Sequence, residues 1–95
     1  MLLVTTSRNA RKHERQLARQ FSRKFGLVYF NRTARSLFDV VEKARFEGAG
    51  KVIIVAKEKN KNCFQVLNVS ENGFSYESVF DSIQGIEGFA KKAIA

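Results

Sequence analysis

The sequence predicts one three-layer α/β/α domain built on a five-stranded mixed sheet in strand order 2-1-3-4-5. Three observations predict it. Helix-period and strand-period segments alternate through the first half of the chain. The segment Lys51-Val52-Ile53-Ile54-Val55-Ala56 is continuously apolar and β-branched, as a strand covered on both faces must be. After it, two turn signals closely join further strand-like segments. With 95 residues, 44% of them hydrophobic, the chain has material for a single core, so residues 1–95 are read as one domain.

Leu2-Leu3-Val4-Thr5 reads as the first strand, and Thr6-Ser7-Arg8-Asn9 offers capping side chains for a helix from about Asn9 to Phe25. At about 100° per residue, Ala10, Leu17, Ala18, Phe21 and Phe25 share one arc of about 100°, and Glu14 is the only polar residue inside it. Gly26 ends this helix, and Leu27-Val28-Tyr29-Phe30 makes the second strand. Ser36 and Asp39 form a capping-box pattern, followed by Leu37, Val40, Val41, Ala44 and Gly48 at helical spacing up to Gly48-Ala49-Gly50. The third strand is the apolar run at 51–56. Lys59-Asn60-Lys61-Asn62 turns the chain into a strand from Cys63 to Val69, and Glu71-Asn72-Gly73 leads to a last strand, Phe74-Ser75-Tyr76-Glu77, with one wet face. Ile83, Ile86, Ala90, Ala93 and Ile94 give a terminal helix that contains Gly85 and Gly88. Because the first two connections carry helices, strands one to three run parallel, and right-handed crossovers to opposite sides of strand one place those helices on opposite faces.

The net charge of +8 is unevenly distributed. Arg8, Arg11, Lys12, Arg15, Arg19, Arg23, Lys24, Arg32 and Arg35 all precede residue 36 and face Glu14 alone, whereas the remainder of the chain is balanced. Such segregation favours a polyanionic partner over mere solubility. On the first helix Arg8, Arg11, Lys12, Arg15, Arg19 and Arg23 project within an arc of about 120°, where like charges at i,i+4 cost about 0.2–0.5 kcal/mol per pair. The predominance of arginine suits phosphate, which its planar fork engages in pairs. The loop Thr5-Thr6-Ser7-Arg8 reads equally as a phosphate-holding helix entry or as simple capping. Asn31-Arg32-Thr33-Ala34-Arg35 follows strand two, and Lys57, Lys59 and Lys61 follow strand three, so all three loops are expected at the carboxyl edge of the sheet as one cationic rim. Phe38 and Phe46 fall outside the second helix's apolar arc, where packing beneath a neighbouring loop is expected ahead of base stacking or a protein contact.

Several functional classes find no support. Cys63 and His13 are the only residues of their kinds, so neither a disulfide nor a closed zinc cage is expected, and Cys63 opens an apolar run that reads as core. No nucleophile and base, paired carboxylates or glycine-rich phosphate loop stand at supporting spacing, so no catalytic centre, metal or cofactor is expected. The apolar clusters fall short of the roughly 18–20 residues that cross a bilayer, and a cytoplasmic location is expected.

Leu3-Val4-Thr5-Thr6-Ser7-Arg8, the basic helix, Asn31-Arg32 before Ser36-Leu37, and Gly48-Ala49-Gly50-Lys51-Val52-Ile53-Ile54-Val55 together resemble the start of Brix-domain proteins, above all the archaeal ones implicated in ribosome biogenesis. The resemblance covers roughly residues 2 to 56. It implies an rRNA-associated assembly factor, with a fold similar to the anticodon-binding domains of class II tRNA synthetases. Members carry two such halves, so this chain would correspond to one. Thr33 stands where a glycine is common, and the chain has no proline. The expected interface is Thr6, Ser7, Arg8, Arg11, Lys12, Arg15, Arg19, Arg23, Arg32 and Arg35, acting on a pre-rRNA. The competing expectation is a protein-interaction module that forms a homodimer or joins a ribosome-assembly protein.

Overall fold

The computed structural model describes residues 1–94. Five strands, β1 (Leu2–Thr6), β2 (Val28–Tyr29), β3 (Lys51–Glu58), β4 (Lys61–Ser70) and β5 (Gly73–Phe80), form one sheet in the order β2-β1-β3-β4-β5. β1 runs parallel to β2 and β3, and the two later pairings are antiparallel. The helices are α1 (Lys12–Phe25), α2 (Leu37–Phe46) and α3 (Ile83–Ile94).

The alternation of strand side chains divides the core in two. Leu2, Val4, Ile53, Val55, Phe64 and Val66 point to the face covered by Ala18 and Phe21 of α1 and by Ile86 and Ala90 of α3. Leu3, Val52, Ile54 and Leu67 point to the other face, beneath Val40 and Ala44 of α2. Three layers result, two helices on one side and one on the other. All five β1 residues and Val52–Val55 of β3 are buried, which is why these two strands carry the unbroken apolar runs.

α2 begins as its sequence expects: Ser36 Oγ accepts from the Asp39 amide at 3.3 Å, and Asp39 Oδ2 accepts from the Ser36 amide at 3.2 Å. Gly26 closes α1 in the left-handed conformation, φ 63°.

Several boundaries differ from expectation, β2 among them, which is shortened from the expected Leu27–Phe30 to Val28–Tyr29. α1 starts at Lys12, three residues after Asn9, and its N-cap is Arg11 with no side-chain cap. Asn9 is left-handed, φ 56°, and donates its amide to the Thr33 carbonyl at 2.7 Å, so Arg8-Asn9-Ala10 is a turn tied to the next loop. Thr6 belongs to β1, and the Thr5 hydroxyl donates to the Phe30 carbonyl at 2.6 Å, so neither caps the helix. The β3–β4 hairpin is longer than expected and turns on Lys59 and Asn60 alone, both at left-handed φ (50° and 66°), the twist that favours a two-residue hairpin. β5 extends to Phe80, past a register shift opposite Val66 and Leu67.

Candidate nucleic-acid interface

Parallel strands bring the ends of β1, β2 and β3 to one edge, where three connections meet. The first two are joined to each other: besides the Asn9–Thr33 bond, Arg8 Nε donates to the Ala34 carbonyl at 2.9 Å. Beneath them lies Arg32, 8% exposed, whose Nη1 donates to the Thr6 carbonyl at 3.3 Å and Nε to the Arg35 carbonyl at 2.9 Å. Burial, with the nearby Arg8 charge second, lowers the Arg32 pKa from its ordinary value.

The ten residues expected at the interface therefore separate. Thr6 (1% exposed) and Arg32 lie inside the edge and hold it together, because the strand continues through Thr6 and carries its carbonyl to the guanidinium. Ser7 is half-buried, its amide donating to the Val55 carbonyl at 3.0 Å. Arg8, Arg11, Lys12, Arg19, Arg23 and Arg35 are exposed. Arg15 is half-buried and donates from Nη1 to the Ala10 carbonyl at 2.7 Å.

α1 presents Arg19 and Arg23 beside the free edge of β2. Arg19 stacks over the Tyr29 ring at 5.5 Å, and with Ser22, Arg23 and Leu27 both line a shallow groove along that edge. Arg35 stacks over Phe30 at 5.2 Å. The surface thus runs from the groove, past the start of α1, to the three loops.

Among the described residues, ion pairs join Lys24 to Glu87, Lys43 to Glu47, Arg45 to Glu42 and Lys51 to Glu77. None involves Arg8, Arg11, Lys12, Arg15, Arg19, Arg23 or Arg35. The interspersed acids of the later chain neutralise their own neighbourhoods and leave the early cations without a carboxylate partner among the described residues.

Further residues outside the ten border this surface. Ile53, Val55 and Lys57 alternate onto the α1 face of β3, and Lys57 with Lys59 and Asn60 of the hairpin turn borders a recess of about 310 Å³ shared with Arg11 and Glu14 of the α1 start. The signal for Glu14 is its place within the apolar arc of the helix. Phe38 and Phe46 are 74% and 85% exposed, so the loop packing expected for them does not occur: both point off α2 into solvent. Cys63 is buried as expected. Among the described residues no cluster of three or more His, Cys, Asp or Glu could hold a metal ion, and no helix is long and apolar enough to cross a membrane.

No family model matches the sequence, and no curated protein does. Solved structures do. The chain is similar to Mil, an archaeal Imp4-like protein, at 31% identity and a TM-score of 0.66 over 81% of this chain and 48% of that one. It is also similar in fold to a probable ribosomal biogenesis protein from Aeropyrum pernix K1, at 22% identity and a TM-score of 0.71 over 82% of this chain and 45% of that one. The chain thus spans about half the length of the structures it matches.

Proposed function

We propose that this chain is an RNA-binding domain of a ribosome-biogenesis factor, a half-Brix unit that docks on a pre-rRNA through phosphate contacts. The carrying observation is the set of seven cations, Arg8, Arg11, Lys12, Arg15, Arg19, Arg23 and Arg35, that no carboxylate among the described residues pairs. Arginines spaced at i,i+4 along α1 repel one another, and a polyphosphate partner relieves that cost. The similarity to Mil and to the A. pernix protein supports the ribosomal setting. Thr6 and Arg32 act in this reading as the frame that holds Arg8 and Arg35 in place.

Affinity for single-stranded and hairpin RNA, measured across a salt series, tests the proposal. Engagement of about five phosphates gives a slope of log affinity against log salt of about −3.5 to −4.5, and a flat series refutes it.

A second reading rests on the other side of the molecule. Phe46, Tyr76 and Val79 are 85%, 57% and 59% exposed and lie on α2 or on the sheet, where one helix covers what two cover opposite. A protein partner or second copy would bury them. Sedimentation at micromolar concentration tests the second-copy form of this reading, since a strict monomer excludes self-association.

A further inference from the structure

Glu14 is the one acidic side chain on α1, and the phosphate reading does not use it. It stands in the middle of the helix's apolar arc, so the fold turns it inward, and it is 5% exposed. Its Oε2 is buried and accepts no hydrogen bond from the described residues. A Glu at this third helical position often reaches back to the N-cap amide, yet here it does not. A carboxylate left in this way misses hydrogen bonds worth about 1–3 kcal/mol.

Its surroundings specify what would complete it. The apolar stripe of α1 covers the sheet from Ala18 onward, but Glu14 lies one turn earlier, level with the end of β3, where Lys57 replaces the apolar residues of its face. The recess there is lined by Arg11, Glu14, Lys57, Lys59 and Asn60. None of the three cations is within ion-pair distance of the carboxylate, and together they make the mouth repel a cationic partner group. The recess therefore accepts a ligand that brings negative charge to the rim and uncharged N–H donors to the interior.

We propose that the recess binds a guanine base of the RNA, with the Glu14 side chain turning outward from its buried setting so that both carboxylate oxygens accept, one from N1–H and one from the N2 amino group, while Arg11, Lys57 and Lys59 hold the flanking phosphates. Guanine alone presents two adjacent donors on its Watson–Crick edge. Adenine and cytosine present one amine beside an acceptor nitrogen that would face the second carboxylate oxygen, and uracil presents one N–H between two carbonyls. The Asn60 amide at the mouth can address the remaining edge of the base. A volume of about 310 Å³ is at the small end of ligand pockets and has room for a purine base. This assignment rests on the RNA-binding reading above and adds a base preference to a surface otherwise blind to sequence.

The test compares a short U-rich oligonucleotide carrying one central guanosine with the same strand carrying inosine, which keeps N1–H and lacks the N2 amine. Fluorescence anisotropy on the full chain is expected to show guanosine bound about ten-fold more tightly, because the inosine complex leaves a buried acceptor unpaired. Glu14→Gln should erase that preference, because its amide offers one acceptor oxygen and sets an N–H donor against the second base donor. Equal affinity of the unmodified chain for the two strands overturns the guanine assignment whether or not the variant folds, as does a preference that survives in Glu14→Gln. If both strands bind equally with a steep salt slope, the phosphate reading stands and only the guanine site falls; if neither binds at any salt, both fall.

Discussion

Arg32 reaches the carbonyl of Thr6, 26 residues earlier in the chain, at 3.3 Å, and this contact pins the end of β1 to the connection after β2. A guanidinium so placed is a structural strut. Its second bond, to the Arg35 carbonyl at 2.9 Å, curls the loop so that Arg35 comes to lie over the Phe30 ring.

Arg32→Ala is expected to destabilise the fold by about 2 kcal/mol in urea unfolding, since it leaves the buried Thr6 carbonyl short of a donor. Arg32→Lys recovers only part of the loss, because one ammonium cannot reproduce the two-armed contact. A surface role alone would leave the unfolding midpoint of both variants unchanged.

Joint replacement of Lys12, Arg19 and Arg23 by glutamate should lower RNA affinity by at least about 100-fold and flatten the salt slope by about one for each phosphate no longer engaged. All three are exposed and form no ion pair among the described residues, so the circular dichroism spectrum should remain that of the parent. Undiminished binding would remove α1 from the interface.

The two α3 glycines should respond oppositely. A Cβ on Gly88 meets nothing within 4 Å among the described residues, so Gly88→Ala is expected to stabilise by up to about 1 kcal/mol through helix propensity. A Cβ on Gly85 would come within 3.0 Å of Phe80 Cδ1, and the Phe80 ring is itself packed on Phe89 at 5.7 Å. Gly85→Ala should therefore forfeit that gain or reverse it, as paired thermal melts would show.

Burial, with Glu58 and Asp81 adding to it, raises the Cys63 thiol above its ordinary pKa. The unfolded chain then ionises first as pH increases. The thiol's contribution to stability is present below the ordinary thiol range and is lost as pH climbs through the raised value. Alkylation at mildly alkaline pH should be slow in the native protein and fast in urea, and equal rates would contradict the buried placement.

The strand order and the placement of the first two helices are legible in the sequence because they follow from local periodicity plus the handedness of crossovers. The hydrophobic arc of α1 likewise locates Glu14 on the buried side without coordinates. What sequence spacing does not carry are features decided by distant partners. Asn9 leaves the helical conformation to donate to Thr33, which moves the helix start to Lys12 and puts Arg8 in a turn. Arg32 reads as another free cation because nothing nearby in sequence announces the Thr6 carbonyl. Phe38 and Phe46 are expected beneath a loop, and no described element crosses that side of α2 to cover them. Lys59 and Asn60, neither of them glycine, form a left-handed corner that composition advertises less loudly than Asn72-Gly73.

The bond from Asn9 to Thr33, together with that from Arg8 to Ala34, ties two separate connections to one another. If the proposed RNA interface holds, the protein, with its own shape already set, gives up little freedom on docking, and the entropy lost falls on the polymer that conforms to it. Strands stacked beforehand into a matching curve should thus be captured ahead of slack ones of identical charge.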